Sequence, residues 1–292
     1  MTRLAWSPDG ETLFSASQDG TLRRWDVNGG QATAVAENYW GRGGDITWSS
    51  DSTQVGVVYT EYADPGIRET FRVWDLKTEQ SREERSPNLD LISPGNTQLT
   101  SPDGRQIAFF DVNSGQIRIF DSTTREEIES FDARGQILNR GIGVWTKDGL
   151  IWVTQDDNLL RVWQQNRDEP LLSLQGRASA WLSPSGRRLA TWGDGVLELW
   201  DIEQEEMIQT LAAPIMELVW SPDQNCLAAT LAPLYPSPES SEGVVSVWDV
   251  ETGQPIAIRE ARANDLAWSP DGTMLATTSD DGTLRIWGAA GE

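Results

Sequence analysis

Asn264 to Trp287, NDLAWSPDGTMLATTSDDGTLRIW, is the stretch on which the reading of this chain turns. Leu266, Trp268, Met274 and Leu275 place apolar side chains in short extended runs, and Ser269-Pro270-Asp271-Gly272 interrupts them. Pro270 presets φ at the second turn position and Gly272 suits the fourth, so the spacing predicts a type I turn between two antiparallel strands. Asp281-Gly282 signals a second, tighter hairpin, because a primed turn needs positive φ values that Gly adopts freely and Asp tolerates. Thr283 to Trp287 then alternates as a third strand.

Working outward, the same turn recurs as Ser7-Pro8-Asp9-Gly10, Ser49-Ser50-Asp51-Ser52, Ser101-Pro102-Asp103-Gly104, Thr146-Lys147-Asp148-Gly149, Ser183-Pro184-Ser185-Gly186 and Ser221-Pro222-Asp223-Gln224. With the copy at Ser269 there are seven, each followed by a strand that ends in an aromatic: Trp25, Trp74, Phe120, Trp163, Trp200, Trp248 and Trp287. These aromatics are 49, 46, 43, 37, 48 and 39 residues apart. A repeat of this length overrides the one or two domains that chain length alone suggests.

Trp25-Asp26, Trp74-Asp75, Trp200-Asp201 and Trp248-Asp249 end four of these strands, and over nearly its whole length the chain resembles WD-repeat β-propellers. The resemblance implies an all-β fold, a seven-bladed β-propeller in which four-stranded blades ring a channel. It implies one domain over 1–292, with blades near 1–38, 39–86, 87–132, 133–175, 176–212, 213–261 and 262–292. Phe120-Asp121, Trp163-Gln164 and Trp287-Gly288 are degenerate copies of the pair. Trp6, Trp48, Trp145, Trp181, Trp220 and Trp268 end the first strands, and with the six third-strand tryptophans they account for twelve of the 15, all expected in the core.

Two departures from the family matter. Its repeats usually carry a Gly-His pair whose imidazole joins a hydrogen-bonded network, and this chain has no histidine. Ser17 with Asp19 and Ser279 with Asp281 are the remaining candidate members, and the turn aspartates are expected to serve the hairpins. Family propellers also close by completing the last blade with an N-terminal strand, but Met1 to Trp6 reads as the innermost strand of blade one. Blade seven is therefore expected to lack its outer strand, the chain being either a piece of a longer protein or a propeller with an open strand edge.

Composition narrows the function. With 23 basic and 45 acidic residues the formal charge is -22, which repels phosphate backbones and anionic lipid, so neither nucleic acid nor membrane is an expected partner. A cytoplasmic protein is expected. Cys226, the single cysteine, lies in an apolar run read as a buried strand. Without an imidazole, Ser-His-Asp and Cys-His catalysis and histidine-containing metal sites are excluded, and no catalytic residue, metal ligand or cofactor is expected. Glu83-Glu84, Glu126-Glu127 and Glu205-Glu206 fall on expected outer strands, where charge protects an edge. Gly41-Arg42-Gly43-Gly44 precedes no helix and is read as a loop, not a phosphate cradle.

Function is expected on the loops, as a non-catalytic scaffold that binds a protein or peptide on the top face of the propeller. A ligand-binding or enzymatic propeller, of Tol-like or other type, is the alternative. Tyr62 to Glu69 extends blade two, with Tyr62 and Arg68 as contact candidates, and Ala232 to Glu242 extends blade six, with Leu234 and Tyr235. Tyr39, Trp40 and Arg42 bring residue types enriched at binding hot spots to a blade connection, unless Trp40 folds back on its own blade. Arg3, Arg42, Arg140, Arg177 and Arg262 precede or start innermost strands and would favour an acidic peptide, unless Asp45, Glu217 and Asp265 pair with them around the rim.

Overall fold

The computed structural model describes residues 3–17, 21–27, 32–36, 46–49, 51–63, 66–84, 97–111, 114–124, 126–137, 143–177, 179–212, 214–231, 244–260, 263–279 and 282–288. Seven antiparallel sheets follow one another along the chain. The first is β1 (Arg3–Trp6), β2 (Thr12–Ala16), β3 (Leu22–Asp26) and β4 (Ala32–Ala36), and the second is β5 (Ile46–Trp48), β6 (Gln54–Ala63), β7 (Gly66–Asp75) and β8 (Gln80–Glu84). The third is β9 (Thr97–Thr100), β10 (Gln106–Asp111), β11 (Gln116–Asp121) and β12 (Glu127–Asp132). In the fourth, β13 (Gln136–Ile137) and β14 (Gly143–Thr146) share one edge of β15 (Gly149–Asp156), which continues to β16 (Leu159–Gln164) and β17 (Leu172–Gln175). The fifth is β18 (Ser179–Leu182), β19 (Arg188–Gly193), β20 (Val196–Asp201) and β21 (Glu206–Ala212), and the sixth is β22 (Ile215–Trp220), β23 (Cys226–Leu231), β24 (Val244–Asp249) and β25 (Pro255–Glu260). The seventh, β26 (Asp265–Trp268), β27 (Met274–Thr278) and β28 (Leu284–Gly288), has three strands among the described residues. Two compact units result, Met1–Leu89 with Met216–Glu292, and Asp90–Ile215.

The repeated turn is held as its residue types require. Gly10 N donates to Ser7 O at 2.9 Å, closing the type I turn. The Ser7 hydroxyl donates to Asp9 Oδ1 at 2.5 Å and accepts Thr12 N at 2.9 Å, while Asp9 Oδ1 also accepts Glu11 N. The copies at Ser49, Ser101, Ser221 and Ser269 repeat this serine-aspartate clasp. The fourth copy differs: Thr146 pairs directly with Gly149, so two residues join β14 to β15, and Trp145 faces Leu150 where Trp6 faces Leu13. Two residues are missing from that loop, and sequence similarity alone does not show that the hairpin is shorter.

In several repeats the closing aromatic and the residue after it divide their labour. The aspartate after the aromatic accepts backbone amides two or three residues on, as Asp75 does from Lys77 and Thr78 and Asp121 from Thr123 and Thr124, which builds the turn to the outer strand. The tryptophan reaches back across the sheet. Trp25, Trp163, Trp200 and Trp287 donate Nε1–H to Ser15 (2.8 Å), Thr154 (2.8 Å), Thr191 (3.2 Å) and Thr277 (3.1 Å). These acceptors correct the expectation for Ser17 and Ser279, which stand two residues further along, past the diagonal on which strand register places the acceptor. Asp19 and Asp281 lie outside the described residues. In the third sheet Phe109 takes the acceptor's place and meets Phe120 edge-on, ring centroids 5.3 Å apart.

Burial follows the repeat. Leu13, Phe14, Leu22, Val55 and Val57 are fully buried in the first unit and Phe110, Ile117, Leu150, Leu160, Leu189 and Leu197 in the second. Trp6, Trp74, Trp163, Trp220, Trp248 and Trp268 are buried, whereas Trp25, Trp48, Trp145, Trp181, Trp200 and Trp287 are half-buried rather than fully in the core. Cys226 opens β23 and is likewise half-buried, its thiol pushed above its ordinary value by burial first and then by Asp223 and Asp249. Within the first unit, the first and last sheets are fastened at their inner strands: Leu4 N donates to Asp265 Oδ2 at 3.0 Å and Trp6 Nε1 to Ala267 O at 3.0 Å.

Candidate functional site

Of the candidate contact residues, Arg3 and, in most detail, Arg177 have side-chain surroundings among the described residues. Arg177 stands just before β18, between two hairpins of positive φ: Asp157-Asn158, which joins β15 to β16, and Asp194-Gly195, which joins β19 to β20. Primed turns match strand twist and need these residue types, so the sequence fixes both hairpins locally. Gly176 N donates to Asn158 O at 2.9 Å, and Gln155 Nε2 to Arg177 O at 3.0 Å, tying the segment to the fourth sheet. A Cβ on Gly193 would lie 2.7 Å from Gly176 O, so only glycine admits this approach.

The Arg177 guanidinium is committed to the fold. Its Nε and Nη2 donate to Glu198 at 2.8 and 2.5 Å, a bidentate pair, and Nη1 donates to the carbonyls of Gln175 and Gly176 at 3.2 Å each. Glu198 also accepts Trp200 Nε1 at 3.1 Å. Arg3 lies 3.9 Å from Asp265, which accepts the Leu4 amide. The two described rim arginines therefore sit with local carboxylates, while Asp156, Asp157 and Asp194 stand exposed at the hairpin end of the second unit.

Tyr62 and Arg68 lie on strands rather than on a loop. β6 and β7 pair through to Ala63 and Gly66, with Tyr62 opposite Ile67 and Arg68 opposite Glu61. Pairing absorbs the insertion because Tyr, Thr and Ile in this stretch suit a strand. Tyr39, Trp40, Arg42, Arg140, Leu234, Tyr235 and Arg262 lie outside the described residues.

Sequence reasoning passed over Arg134. Its backbone is left-handed at φ 60°, Nη1 donates to the carbonyls of Arg167 and Asp168 at 3.0 and 2.7 Å, and its guanidinium lies 5.1 Å from the centre of the Trp163 ring. Arg134-Gly135 in front of the fourth repeat was the available signal, glycine being required because a Cβ there would meet Thr154 at 2.8 Å.

At the other end of the second unit, the shortened Thr146–Gly149 hairpin leaves a cleft of about 770 Å³ lined by Pro102, Trp145, Ile151, Leu171, Pro184 and Ile202 among others. The acidic groups near the turns are engaged in building them. Asp9, Asp103, Asp223 and Asp271 are held below the ordinary carboxylate value by their turn serines first, and Asp51 is lowered to about 2 by Ser49 and then Thr53. Among the described residues no group of three or more His, Cys, Asp or Glu could hold a metal ion, and no helix is long and apolar enough to cross a membrane.

The family described as WD domain, G-beta repeat, matches residues 1–26, which hold β1 to β3, and 254–288, which hold β25 to β28. A solved structure titled "Crystal Structure of Mitotic Checkpoint Complex" contains a chain of the same fold: TM-score 0.63 at 18% identity, covering 98% of this chain and 86% of that one. The chain has the β-propeller fold, and its two ends match the WD-repeat family. Its seven sheets are the seven blades, and the seventh has three strands among the described residues. No curated protein matches this chain in sequence. Its fold is one consistent with protein interaction.

Proposed function

We propose that this WD-repeat propeller is a non-catalytic scaffold that holds a protein partner at the hairpin end of its blades, and that it does so in the cytoplasm. The observation that carries the reading is the second sheet. β6 and β7 are ten residues each, where second strands elsewhere run from five to eight. At roughly 3.3 Å per residue the extra length lifts this hairpin by about 7 to 16 Å relative to its counterparts. Tyr62 and Arg68 stand on paired strands of this ribbon, and backbone pairing lowers the ordering cost of binding.

The tied-up guanidiniums of Arg3 and Arg177 support a partner selected by shape and by the loop residues Tyr39, Trp40 and Arg42, more than one selected by a ring of free cations. The test is capture of partner proteins by the whole chain, compared with a Tyr62→Ala/Arg68→Ala variant, a Trp40→Ala variant and an Arg177→Glu variant, each first shown to be folded. Loss of the same proteins from the hairpin or Trp40 variants is the expected result. Retention of every captured protein by all three variants overturns the placement of the interface.

A further inference from the structure

We propose that the cleft between the first and second sheets, at the end away from the β6–β7 hairpin, takes a lysine- or arginine-bearing segment of a partner protein. The residue just before the closing aromatic opens it. Six repeats place an aliphatic there, Val73, Ile119, Val162, Leu199, Val247 and Ile286, and the first repeat places Arg24. Val73, Ile119, Val162 and Leu199 are buried and Val247 and Ile286 half-buried, whereas Arg24 is exposed.

Between the fourth and fifth sheets, within the second unit, this position fills the space between neighbours. Val162 shares a buried cluster with Leu172, which faces it on β17, and with Ile202, two residues beyond Trp200. The matching residues of the first unit are Arg24, Thr33, which faces it on β4, and Leu76, two residues beyond Trp74. Ile202 is 3% exposed, but Leu76 stays half-buried and Thr33 is exposed. A guanidinium is not buried without a partner for its charge, so Arg24 leaves the space that an aliphatic would close. What remains is a cleft of about 670 Å³ with Val35, Trp74 and Leu76 in its wall. A packing rule kept by six repeats and broken by one points to use of the surface where it is broken.

Charge identifies the occupant. Glu11, Asp26, Asp75 and Glu79 also line the cleft, four carboxylates against the single guanidinium of Arg24. Asp75 Oδ1 already accepts the amides of Lys77 and Thr78, so it contributes charge more than bonds. Glu11 and Glu79 are exposed, and they are the groups placed to bond an ammonium or guanidinium. The long stem of lysine or arginine suits the apolar wall while its head stays with the carboxylates. The chain's charge of -22 draws a basic partner to this face and repels an acidic one.

The probe is the synthetic peptide acetyl-Ala-Lys-Leu-Lys-Ala-amide, with acetyl-Ala-Glu-Leu-Glu-Ala-amide as its acidic counterpart. Each is titrated into the whole chain by calorimetry, and amide hydrogen exchange is followed over 74–79. Binding of the lysine peptide alone, with slowed exchange there, is expected. Glu11→Lys/Glu79→Lys should weaken it by about tenfold or more. Glu203→Lys/Glu205→Lys changes the total charge equally and has at Glu205 (φ 54°) the backbone of Glu79 (φ 56°), yet should weaken the peptide less than about twofold. Arg24→Val restores the aliphatic of the other repeats, and it should lose the peptide while Tm is kept or raised. Failure of the lysine peptide to bind the parent overturns the proposal, as does equal weakening by the two charge-reversed pairs, which reports attraction to overall charge only. Undiminished binding by Arg24→Val, or a fall in its Tm, overturns it from the packing side.

Discussion

Replacing Thr154 by valine tests how this propeller holds together without histidine. Thr154 is fully buried, and its hydroxyl accepts Trp163 Nε1–H at 2.8 Å while lying 3.4 Å from Arg134 O. Valine keeps the shape and removes the acceptor, leaving a buried indole N–H without a partner. That omission costs about 1–3 kcal/mol. Thr191→Val is the internal control, because Trp200 Nε1 keeps Glu198 Oε2 at 3.1 Å and the cost should stay below about 1 kcal/mol. At about 2–4 °C per kcal/mol, the lower end applying to a chain of this size, Thr154→Val lowers Tm by about 2–6 °C. Urea unfolding followed by circular dichroism reads the global change, and hydrogen exchange over β15 and β16 shows whether it is local to the fourth sheet. Adding Trp163→Phe completes a cycle in which the two substitutions together cost less than their sum by about 1 kcal/mol. Equal costs for the two threonine variants, or a strictly additive cycle, would refute the hydrogen bond as a source of stability.

Stability against pH has a defined direction. Asp9, Asp51, Asp75, Asp103, Asp121, Asp223, Asp249 and Asp271 are all lowered in the fold, so their contribution is full above about pH 4 and is lost as pH falls towards 2, the value of Asp51. With no histidine and Cys226 pushed upward, Tm measured from pH 5 to 8 should be flat; a step near pH 6 contradicts this account. Gly104→Ala and Gly186→Ala share the strain of φ near +70°, but a Cβ at 104 meets nothing within 4 Å while one at 186 falls 2.7 Å from Ile151 Cδ1. Urea titration should show about 1 kcal/mol for the first and at least about 1 kcal/mol more for the second, and equal losses would mean that the turn does not seat on the fourth sheet.

Much of the fold was legible because each repeat spends its distinctive residues on local chemistry. Ser, Pro, Asp and Gly write the first turn, and Trp-Asp writes a buried end and the next turn, so periodicity and turn signals point to the same sheet. What escaped was set across strands. That Ser15 and Thr277, not Ser17 and Ser279, accept the indoles depends on register, which fixes the diagonal neighbour and which turn signals leave open. The shortened Thr146–Gly149 hairpin was hidden by its likeness to the other turns, since Asp-Gly suits either loop length. Arg177 was legible as a rim residue, but its commitment to Glu198 was not, because their meeting depends on how a hairpin folds over a connection.

The same economy explains where recognition has room to arise. In the turn that clasps Asp271, Ser269 is fully buried and accepts Met274 N, so neither residue can change without releasing an amide. Thr154, Thr191 and Thr277 are buried at 0 to 1% and committed to tryptophans. Positions that vary in length without breaking such contacts are the second-to-third-strand hairpins, and there the chain does vary: Asp157-Asn158 and Asp194-Gly195 are two-residue turns, while β6 and β7 run on to Ala63 and Gly66. Lengthening a hairpin adds paired backbone and leaves the blade core untouched, so it alters the surface at little cost to stability.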